Sequence, residues 1–356
     1  FRRVLFRSAE EAMLRKGLTL TLYGSYSPAI KALEAFMEKY PQNVYVRKNV
    51  IQENIDENLK GLIDRYFRQD DNLALVSAYS DYKAKYLFNF RFDTTLFQTA
   101  VAHRKLGFLD EALDILRFLE TRSGGTVSEL VQLEKARALL EKGDLTEARN
   151  TVAKFLQQYP NSSYDAEARQ LLARIYRQQK SYPRALLVYQ QTLQKYDQNK
   201  QPLLAEIVPE LYYDLAELQE ETGNFVEAGE AFQDAISSYN HPLDHQDTPE
   251  YIIKSHFLTA DMHNKALNDE TALKSYQQAI SLYADKTNKE IIERVFWARY
   301  QIGAIYTRQD EDQLALKVFK QLMDEKTGEG QLWKKLATEN HRAISRKLAY
   351  DAYLKE

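Results

Sequence analysis

The sequence lacks cysteine and has little glycine or proline. Its 356 residues include no Cys, 12 Gly and 8 Pro. Without cysteine, a disulfide framework, a thiolate metal site and a cysteine nucleophile are all excluded. Alternating β-branched runs are nearly absent as well, so the composition predicts an almost wholly helical chain. No stretch approaches eighteen apolar residues, and the sequence therefore predicts no membrane span.

The chain also lacks a continuous basic stripe. Its net charge is −3, and between residues 204 and 285 the only cations among many Asp and Glu are Lys254, Lys265 and Lys274. A protein that binds a duplex or a nucleic-acid strand is expected to carry such a stripe. We therefore predict no nucleic-acid partner.

One pattern is present in seven copies. Each copy has a turn, then an alanine, then an aromatic or aliphatic residue about four positions later. The alanines are Ala29, Ala112, Ala148, Ala185, Ala228, Ala272 and Ala315. Twelve residues before them lie Gly17, Ala100, Ala136, Ala173, Ala216, Ala260 and Gly303. This spacing predicts two helices joined by a tight turn, which cross where the side chains are small.

The turns carry a second signal. Five residues before four of the alanines stands a glycine, as expected where a helix ends with positive φ: Gly24, Gly107, Gly143 and Gly223. Lys180 replaces a turn glycine in another copy. An eighth copy is predicted around Ala74, although the position twelve residues earlier holds Leu62 instead of a small residue.

This pattern resembles the tetratricopeptide repeat (TPR), a helix-turn-helix unit of about 34 residues that stacks into a right-handed superhelix. Ile302 and Gly303, followed by Tyr306, approximate the family's Leu-Gly pair, while its tryptophan is not at the usual place. The resemblance implies an all-α TPR solenoid of about seven to eight repeats over residues 9–325. Residues 326–356 are expected to form a C-terminal capping helix with a polar outer side.

The first eight residues, FRRVLFRS, share none of the repeat's spacing. We expect the first helix to begin at Ala9, and residues 1–8 resemble a translated sequencing adapter. On this interpretation the native N-terminus lies upstream of the sequence, together with any signal peptide or membrane tether.

Motifs for catalysis and cofactor binding are not visible. Neither GxxxxGK[ST] nor GxGxxG occurs, and no serine or threonine nucleophile stands in a recognisable catalytic context. The sequence therefore predicts no enzyme and no cofactor.

Four of the six histidines lie close together in the sequence, at His241, His245, His256 and His263. With neighbouring carboxylates they could bind zinc or nickel if the loop folded back on the helix. However, His256 and His263 flank Ala260 on the packed face of a repeat. We therefore predict no metal site, and a metal-dependent activity is the alternative.

The resemblance also implies a concave groove lined by the first helix of each repeat. Residues three before, one after and four after the small residue are expected to point into it. These residues are Phe97, Arg104, Leu133, Arg137, Gln170, Arg174, Arg177, Tyr213, Glu217, Glu220, Phe257, Asp261, Asn264 and Tyr300. We expect the arginines to bind an acidic or carboxylate-ended segment, and Glu217, Glu220 and Asp261 to bind a basic one.

The junction YPNSSYDAEA resembles those of bacterial cell-envelope TPR proteins, such as the lipoproteins of outer-membrane assembly and the periplasmic accessory protein of the Tol-Pal system. The sequence thus favours a non-enzymatic scaffold in the periplasm or envelope that docks a protein or peptide partner in its groove. The alternative is a cytoplasmic regulatory or sensor array within a larger signalling or transcription protein.

Overall fold

The structure is a computed structural model that describes residues 2–85, 93–122, 126–196, 207–239, 241, 243, 248–285 and 288–354. These residues form helices and connecting turns. The helices are α1 (Arg2–Leu22), α2 (Tyr26–Lys39), α3 (Val44–Arg47), α4 (Val50–Arg68), α5 (Asn72–Lys85), α6 (Asp93–Lys105), α7 (Leu109–Glu120), α8 (Thr126–Lys142), α9 (Leu145–Gln158), α10 (Asp165–Gln178), α11 (Tyr182–Tyr196), α12 (Ile207–Glu221), α13 (Phe225–Ser238), α14 (Glu250–Lys265), α15 (Asp269–Tyr283), α16 (Lys289–Arg308), α17 (Asp312–Asp324) and α18 (Gln331–Tyr353).

Most of these helices form hairpins. The packed pairs are α1 with α2, α4 with α5, α6 with α7, α8 with α9, α10 with α11, α12 with α13, α14 with α15, and α16 with α17. The short helix α3 separates the first two hairpins, and α18 follows the last one. The all-α helix-hairpin solenoid predicted from the sequence is confirmed.

The same turn joins the two helices of every hairpin. In the sixth, the N–H of Asn224 donates to the carbonyl of Gln219 at 2.8 Å, and Gly223 between them has φ of 82°. This is the Schellman motif, which needs a residue with positive φ just after the first helix. Four hairpins use the predicted glycines. The other four use non-glycine residues with φ between 54° and 59°: Asp70, Lys180, Leu267 and Asp310.

The second hairpin is shifted by one residue from its predicted position. Asp70 has the positive φ, and the N–H of Leu75 donates to the carbonyl of Asp71, as the repeat's alanine does elsewhere. Leu75 is fully buried, whereas Ala74 is only half-buried. The prediction that Ala74 holds this position is wrong. The residue twelve positions before Leu75 is the buried Ile63, so two large side chains meet at this crossing in place of two small ones.

The twelve-residue spacing has a direct steric explanation. A Cβ added to Gly17 would lie 2.6 Å from Cδ2 of Leu33, and one added to Gly303 would lie 2.5 Å from Cε1 of Phe319. Leu33 and Phe319 each follow the repeat's alanine by four residues. The small residue of the first helix therefore makes room for the bulky side chain of the second helix.

The chain divides into two compact units, Phe1–Ser162 and Ser163–Glu356, which we call unit 1 and unit 2. Unit 1 has an aliphatic core with a few aromatic rings, centred on residues such as Phe36, Ile55 and Leu116. Unit 2 buries more rings, including Tyr189 and Tyr276, which are fully inaccessible. Both units thus have cores of their own.

The last helix packs on α16 and α17. Ala337 and Ile344 are the buried residues of α18, and they extend the core formed by α16 and α17. Its outer side is less polar than the sequence predicted, because Leu332, Tyr350 and Tyr353 are all more than half exposed.

The first helix begins at Arg2, so the expectation that it starts at Ala9 is wrong. Within the described parts of the chain, no helix, α1 included, combines the length and the apolar character needed to cross a membrane.

Candidate protein-binding surface

The first helices of successive hairpins lie side by side within each unit. In unit 1 these neighbours are α4, α6 and α8, and in unit 2 they are α10, α12, α14 and α16. We call the surface formed by each row the inner face of that unit. All the residues predicted to line a groove lie on these helices.

The predicted groove residues that precede the small residue by three positions are partly core residues. Leu133 is 1% exposed and Phe257 is fully buried, and Gln170 is buried as well. Phe97, Tyr213 and Tyr300 are half-buried and remain partly accessible. The groove prediction is therefore corrected at Leu133, Gln170 and Phe257, because these three side chains are packed away from solvent.

On the inner face of unit 1, a buried glutamate joins two of the predicted arginines. Glu134 of α8 is 1% exposed. It accepts hydrogen bonds from Arg104 of α6 at 2.5 Å and from Arg137, one turn further along α8, at 2.7 Å. Arg104 also reaches Glu141 at 2.5 Å. Burial alone would lower the pKa of Arg104, but the two glutamates raise it, so these charges are balanced within the unit.

On the inner face of unit 2, Arg174 of α10 is held by two carboxylates of α12. Its Nε lies 2.7 Å from Oδ2 of Asp214, and its Nη2 lies 2.6 Å from Oε1 of Glu210. Gln170 donates a further hydrogen bond to Asp214 at 2.9 Å. Burial raises the pKa of Asp214 and the guanidinium opposes that change. The contacts of one guanidinium with two carboxylates hold α10 against α12.

Arg177 is engaged in the same way, one turn further along α10. It donates to Glu217 at 2.7 Å and to Glu221 at 2.8 Å, and Glu221 also accepts from the hydroxyl of Tyr182 at 2.8 Å. Two residues predicted to bind opposite kinds of partner, Arg177 and Glu217, thus bind each other. The arginines of α10 therefore pair with the carboxylates of α12 across the two helices.

Carboxyl groups nevertheless outnumber the cations around α12. The remaining glutamate on this side, Glu220, pairs with Lys265 of α14 at 2.6 Å. Three cations therefore serve five carboxyl groups: Glu210, Asp214, Glu217, Glu220 and Glu221. By ion pairs alone, the carboxyl groups of α12 thus exceed their cations by two, while the charges of Lys180 and Arg294 also act on this region, at Glu221 and Asp261.

Asp261 of α14 continues this acidic region. Its carboxylate accepts a hydrogen bond from the hydroxyl of the buried Tyr276. Burial raises the pKa of Asp261 to about 7, although this hydrogen bond and the charge of Lys265 oppose the shift. Ionisation of this carboxyl is thus shifted from acidic toward neutral pH.

Further along the row, amides and hydroxyls connect the helices. Asn264 donates to Gln301 at 3.3 Å and accepts from Arg308 at 2.9 Å. Tyr300 accepts a hydrogen bond from Asn340 of α18 at 3.0 Å.

Half-buried aromatic rings lie beside the acidic region. The ring of Tyr213 packs edge-on against Tyr251 of α14, with 5.7 Å between centroids. Trp297 of α16 packs edge-on against Tyr276 at 5.9 Å. Tyr213, Tyr251 and Trp297 each keep part of their surface accessible. Rings of this kind supply most of the energy at many protein interfaces.

The histidines that lie close together in the sequence have different surroundings in the structure. His256 is buried against the ring of Tyr283, and burial lowers its pKa to about 4. His263 packs over the backbone of Gly229, and burial lowers its pKa as well. His241 is exposed, and His245 lies outside the described residues. Among the residues described, no three His, Cys, Asp or Glu side chains come together as a metal site would require.

Sequence reasoning missed the carboxylates that organise both faces. Glu134 and Asp214 each lie two residues before the small residue of a first helix, at Ala136 and Ala216. That position faces the preceding first helix, so it meets that helix's arginines. At Asp214, a single acidic residue inside the otherwise apolar stretch LYYDLA is the signal that could have identified it, whereas Glu134 stands among polar and charged residues and carries no such signal.

Comparison with known proteins agrees with the helix-hairpin architecture. The tetratricopeptide repeat family matches residues 97–163, 133–200 and 11–43. Comparison with curated protein sequences finds no match.

Several solved structures are similar over most of the chain. A tetratricopeptide repeat protein from Parabacteroides merdae has a TM-score of 0.51 at 15% identity, covering 82% of this chain and 99% of its own. The C-terminal part of a TPR repeat-containing protein from Cytophaga hutchinsonii has 0.55 at 13%, covering 76% and 97%. The apo form of RapI has 0.54 at 10%, covering 96% and 99%. At these identities the similarity establishes the fold alone.

Proposed function

We propose that this chain, which matches tetratricopeptide repeat models over residues 11–43 and 97–200, is a member of that family and a non-enzymatic scaffold that binds other proteins. The fold sets helices side by side and presents charged and aromatic side chains along one face of each unit. Most of the charged groups on these faces are ion-paired to neighbouring helices, which holds the surface in a defined shape. A surface that is already ordered loses less entropy when a partner binds.

We propose further that the inner face of unit 2 binds a partner segment rich in lysine or arginine. The observation that carries this proposal is the excess of carboxyl groups over ion-paired cations on α12, with Asp261 beside them. A carboxylate can accept more than one hydrogen bond, so Glu217 and Glu220 can bind a second cation while keeping their internal partners. Tyr213, Tyr251 and Trp297 provide apolar and cation–π contacts for the same segment.

An acidic segment is a poorer candidate for this face. Arg174 and Arg177 would have to exchange internal carboxylates for those of the partner, with little net gain. Of the two partner segments expected from the sequence, one acidic and one basic, we therefore propose the basic one for this face.

The test uses two labelled peptides of twelve residues, one alternating lysine with tyrosine and one alternating glutamate with tyrosine. Fluorescence anisotropy at about 0.15 M salt measures both affinities. We expect the lysine peptide to bind more tightly. Glu217→Gln combined with Glu220→Gln is expected to weaken its binding by about five- to tenfold, because two attractive charges are removed from the contact.

A matched variant separates this site from general attraction. Glu227→Gln with Glu230→Gln changes the net charge equally, and both residues are exposed on α13. This pair is expected to leave the affinity almost unchanged. Equal losses in both double variants, or equal binding of the two peptides, would refute the proposed site.

For the cellular location we propose the bacterial envelope, on the resemblance of the YPNSSYDAEA junction to envelope repeat proteins. Fractionation of cells that carry the native gene, with an antibody against this chain, tests the location. Recovery in the cytosolic fraction alone would contradict it and favour the cytoplasmic regulatory array.

A further inference from the structure

Two contacts define where α18 stands in the repeat pattern. Asn340 bonds Tyr300 of α16, as Asp214 bonds Gln170 between two earlier first helices. Lys347 reaches the turn residue Asp310, as Lys105 reaches the turn residue Asp70. Both comparisons place α18 in the row of first helices.

The same register puts Arg342 where the other first helices, apart from α4, carry glycine or alanine. Tyr300 and Gln170 each lie three residues before the small residue of their own helix. Asp214, the partner of Gln170, lies two residues before Ala216, so Asn340, the partner of Tyr300, puts residue 342 at the equivalent position. Lys105 follows Ala100 by five residues, and Lys347 likewise follows Arg342 by five. A second helix cannot cross α18 at Arg342 as closely as helices cross where this position is glycine or alanine, since the small side chain is missing there.

One side of α18 is firmly attached. Ala337 and Ile344 are buried, Trp333 and Leu348 pack against the same core, and Lys347 pairs with two aspartates of α17 and its turn. The helix is therefore held in place by this side, with the opposite side facing outward.

The outward face, as we define it, consists of Leu332, Lys335, Glu339, Arg342, Arg346, Tyr350 and Tyr353. All of them are exposed, and their spacing of three or four residues keeps them on one side of the helix. Lys335, Arg342 and Arg346 form no ion pair with any residue that the structure describes. This contrasts with the arginines of the inner faces, which are paired.

We propose that the outward face of α18 docks an acidic amphipathic helix of another protein. The three unpaired cations span about 16 Å at 1.5 Å per residue, so carboxylates spaced over three turns of a partner helix would meet them. Tyr353 is 75% exposed and Tyr350 is 62% exposed, and with Leu332 they provide apolar contact at both ends of the face.

A lipid surface fits this face less well. A helix that lies in a membrane interface needs a continuous apolar side, whereas here Lys335, Glu339, Arg342 and Arg346 occupy the middle. A protein helix can match alternating charge and apolar contact position by position. Charge complementarity therefore selects a protein partner with an acidic surface.

The test uses a labelled 21-residue peptide of three heptads, with leucine at positions a and d and glutamate at e and g. A second peptide carries lysine in place of glutamate, and vesicles containing phosphatidylglycerol form a third probe. We expect the glutamate peptide to bind about tenfold more tightly than the lysine peptide, and the protein to leave the vesicles unbound. Anisotropy measures the peptides and co-sedimentation measures the vesicles.

Charge reversal then assigns the binding to α18. Arg342→Glu with Arg346→Glu is expected to weaken binding of the glutamate peptide by about tenfold. The matched control is Lys317→Glu with Lys320→Glu on α17, which reverses two exposed lysines and should change the affinity by less than about twofold. Circular dichroism of each variant confirms that the helices remain formed.

Three results would overturn the proposal. The first is an equal loss in both double variants, which indicates general attraction by positive charge. The second is binding to the vesicles that the α18 variant abolishes, which assigns the face to lipid. The third is a concentration-dependent dimer of the protein that the α18 variant disrupts, which assigns it to a second copy.

Discussion

Asp261 depends strongly on its surroundings on the inner face. Tyr276 donates a hydrogen bond to it from α15, Lys265 lies one turn away on α14, and the charges of Glu220 and Arg294 act on it from α12 and α16. Burial has the largest effect and raises the pKa to about 7. The ionised form of this carboxyl therefore costs the folded state free energy.

The pH dependence of stability follows from this shift. The unfolded chain ionises Asp261 near the usual pKa of 3.8, whereas the folded chain retains the proton up to about pH 7. Its contribution to stability is therefore lost as pH rises from about 4 to 7. Asp261→Asn removes this effect. We expect the free energy of unfolding of the variant to exceed that of the parent by about 2–4 kcal/mol more at about pH 8 than at about pH 4.

Urea unfolding at both pH values measures this gain. Glu270→Gln is the control, because Glu270 is exposed and pairs only with a neighbouring lysine, so little change is expected at either pH. Equal stability of Asp261→Asn and the parent at the higher pH would contradict the prediction.

Individual inner-face residues could be predicted from the sequence better than their partners. The helical spacing placed Arg174, Arg177 and Glu217 on adjacent first helices, and they are there. It did not predict that Arg177 and Glu217 bind each other, because they are 40 residues apart and only the packing of α10 on α12 brings them together. The packing of α14 on α15 likewise buries Phe257 against Tyr283, whereas spacing alone assigned Phe257 to the surface.

At the scale of the hairpin, the turn is the most regular element. Four turns place a non-glycine residue at positive φ, and in one of them that residue is Leu267, which is 70% exposed. An L-residue in the left-handed region costs about 1 kcal/mol or more relative to glycine. The spacing of the sequence located these turns because helix ends impose a strict local geometry.

Substitution of Leu267 measures this cost. We expect Leu267→Gly to be more stable than Leu267→Ala by about 1 kcal/mol, since both remove the side chain and only glycine relieves the strain. Gly143→Ala should show the opposite change, because an added Cβ there meets nothing within 4 Å and only the backbone is affected. Chemical denaturation measures all three, and equal stability of the two Leu267 variants would contradict the prediction.

The second hairpin shows what local spacing could not predict. The search for an alanine selected Ala74, but the turn geometry assigns the position to Leu75. Leu75 and Ile63 fill this crossing with two large side chains, and whether a crossing can accommodate them depends on the surrounding packing. Periodicity contains no information about that space.

For the whole molecule, the division into two units has a consequence for dissection. Each unit contains its own hydrophobic cores, and in repeat arrays each hairpin mainly contacts its neighbours. Unit 2 also contains every residue of the proposed acidic site and of the outward face of α18.

We therefore expect a fragment of residues 163–356 to fold by itself and to bind the lysine peptide with an affinity within about twofold of the full chain. Circular dichroism and the anisotropy measurement described above provide the readouts. A helical fragment that binds more than about tenfold more weakly would show that unit 1 contributes to the site.

The ion pairs between adjacent first helices also fix the order of the repeats. Arg174 of the fifth hairpin needs Asp214 of the sixth, and Arg104 of the third needs Glu134 of the fourth. Exchanging two hairpins would preserve every backbone turn but leave a buried carboxylate facing the wrong side chain. The hairpins of this chain share one shape, but these paired side chains match only one neighbour. We therefore expect that the order of these hairpins cannot be changed without loss of stability.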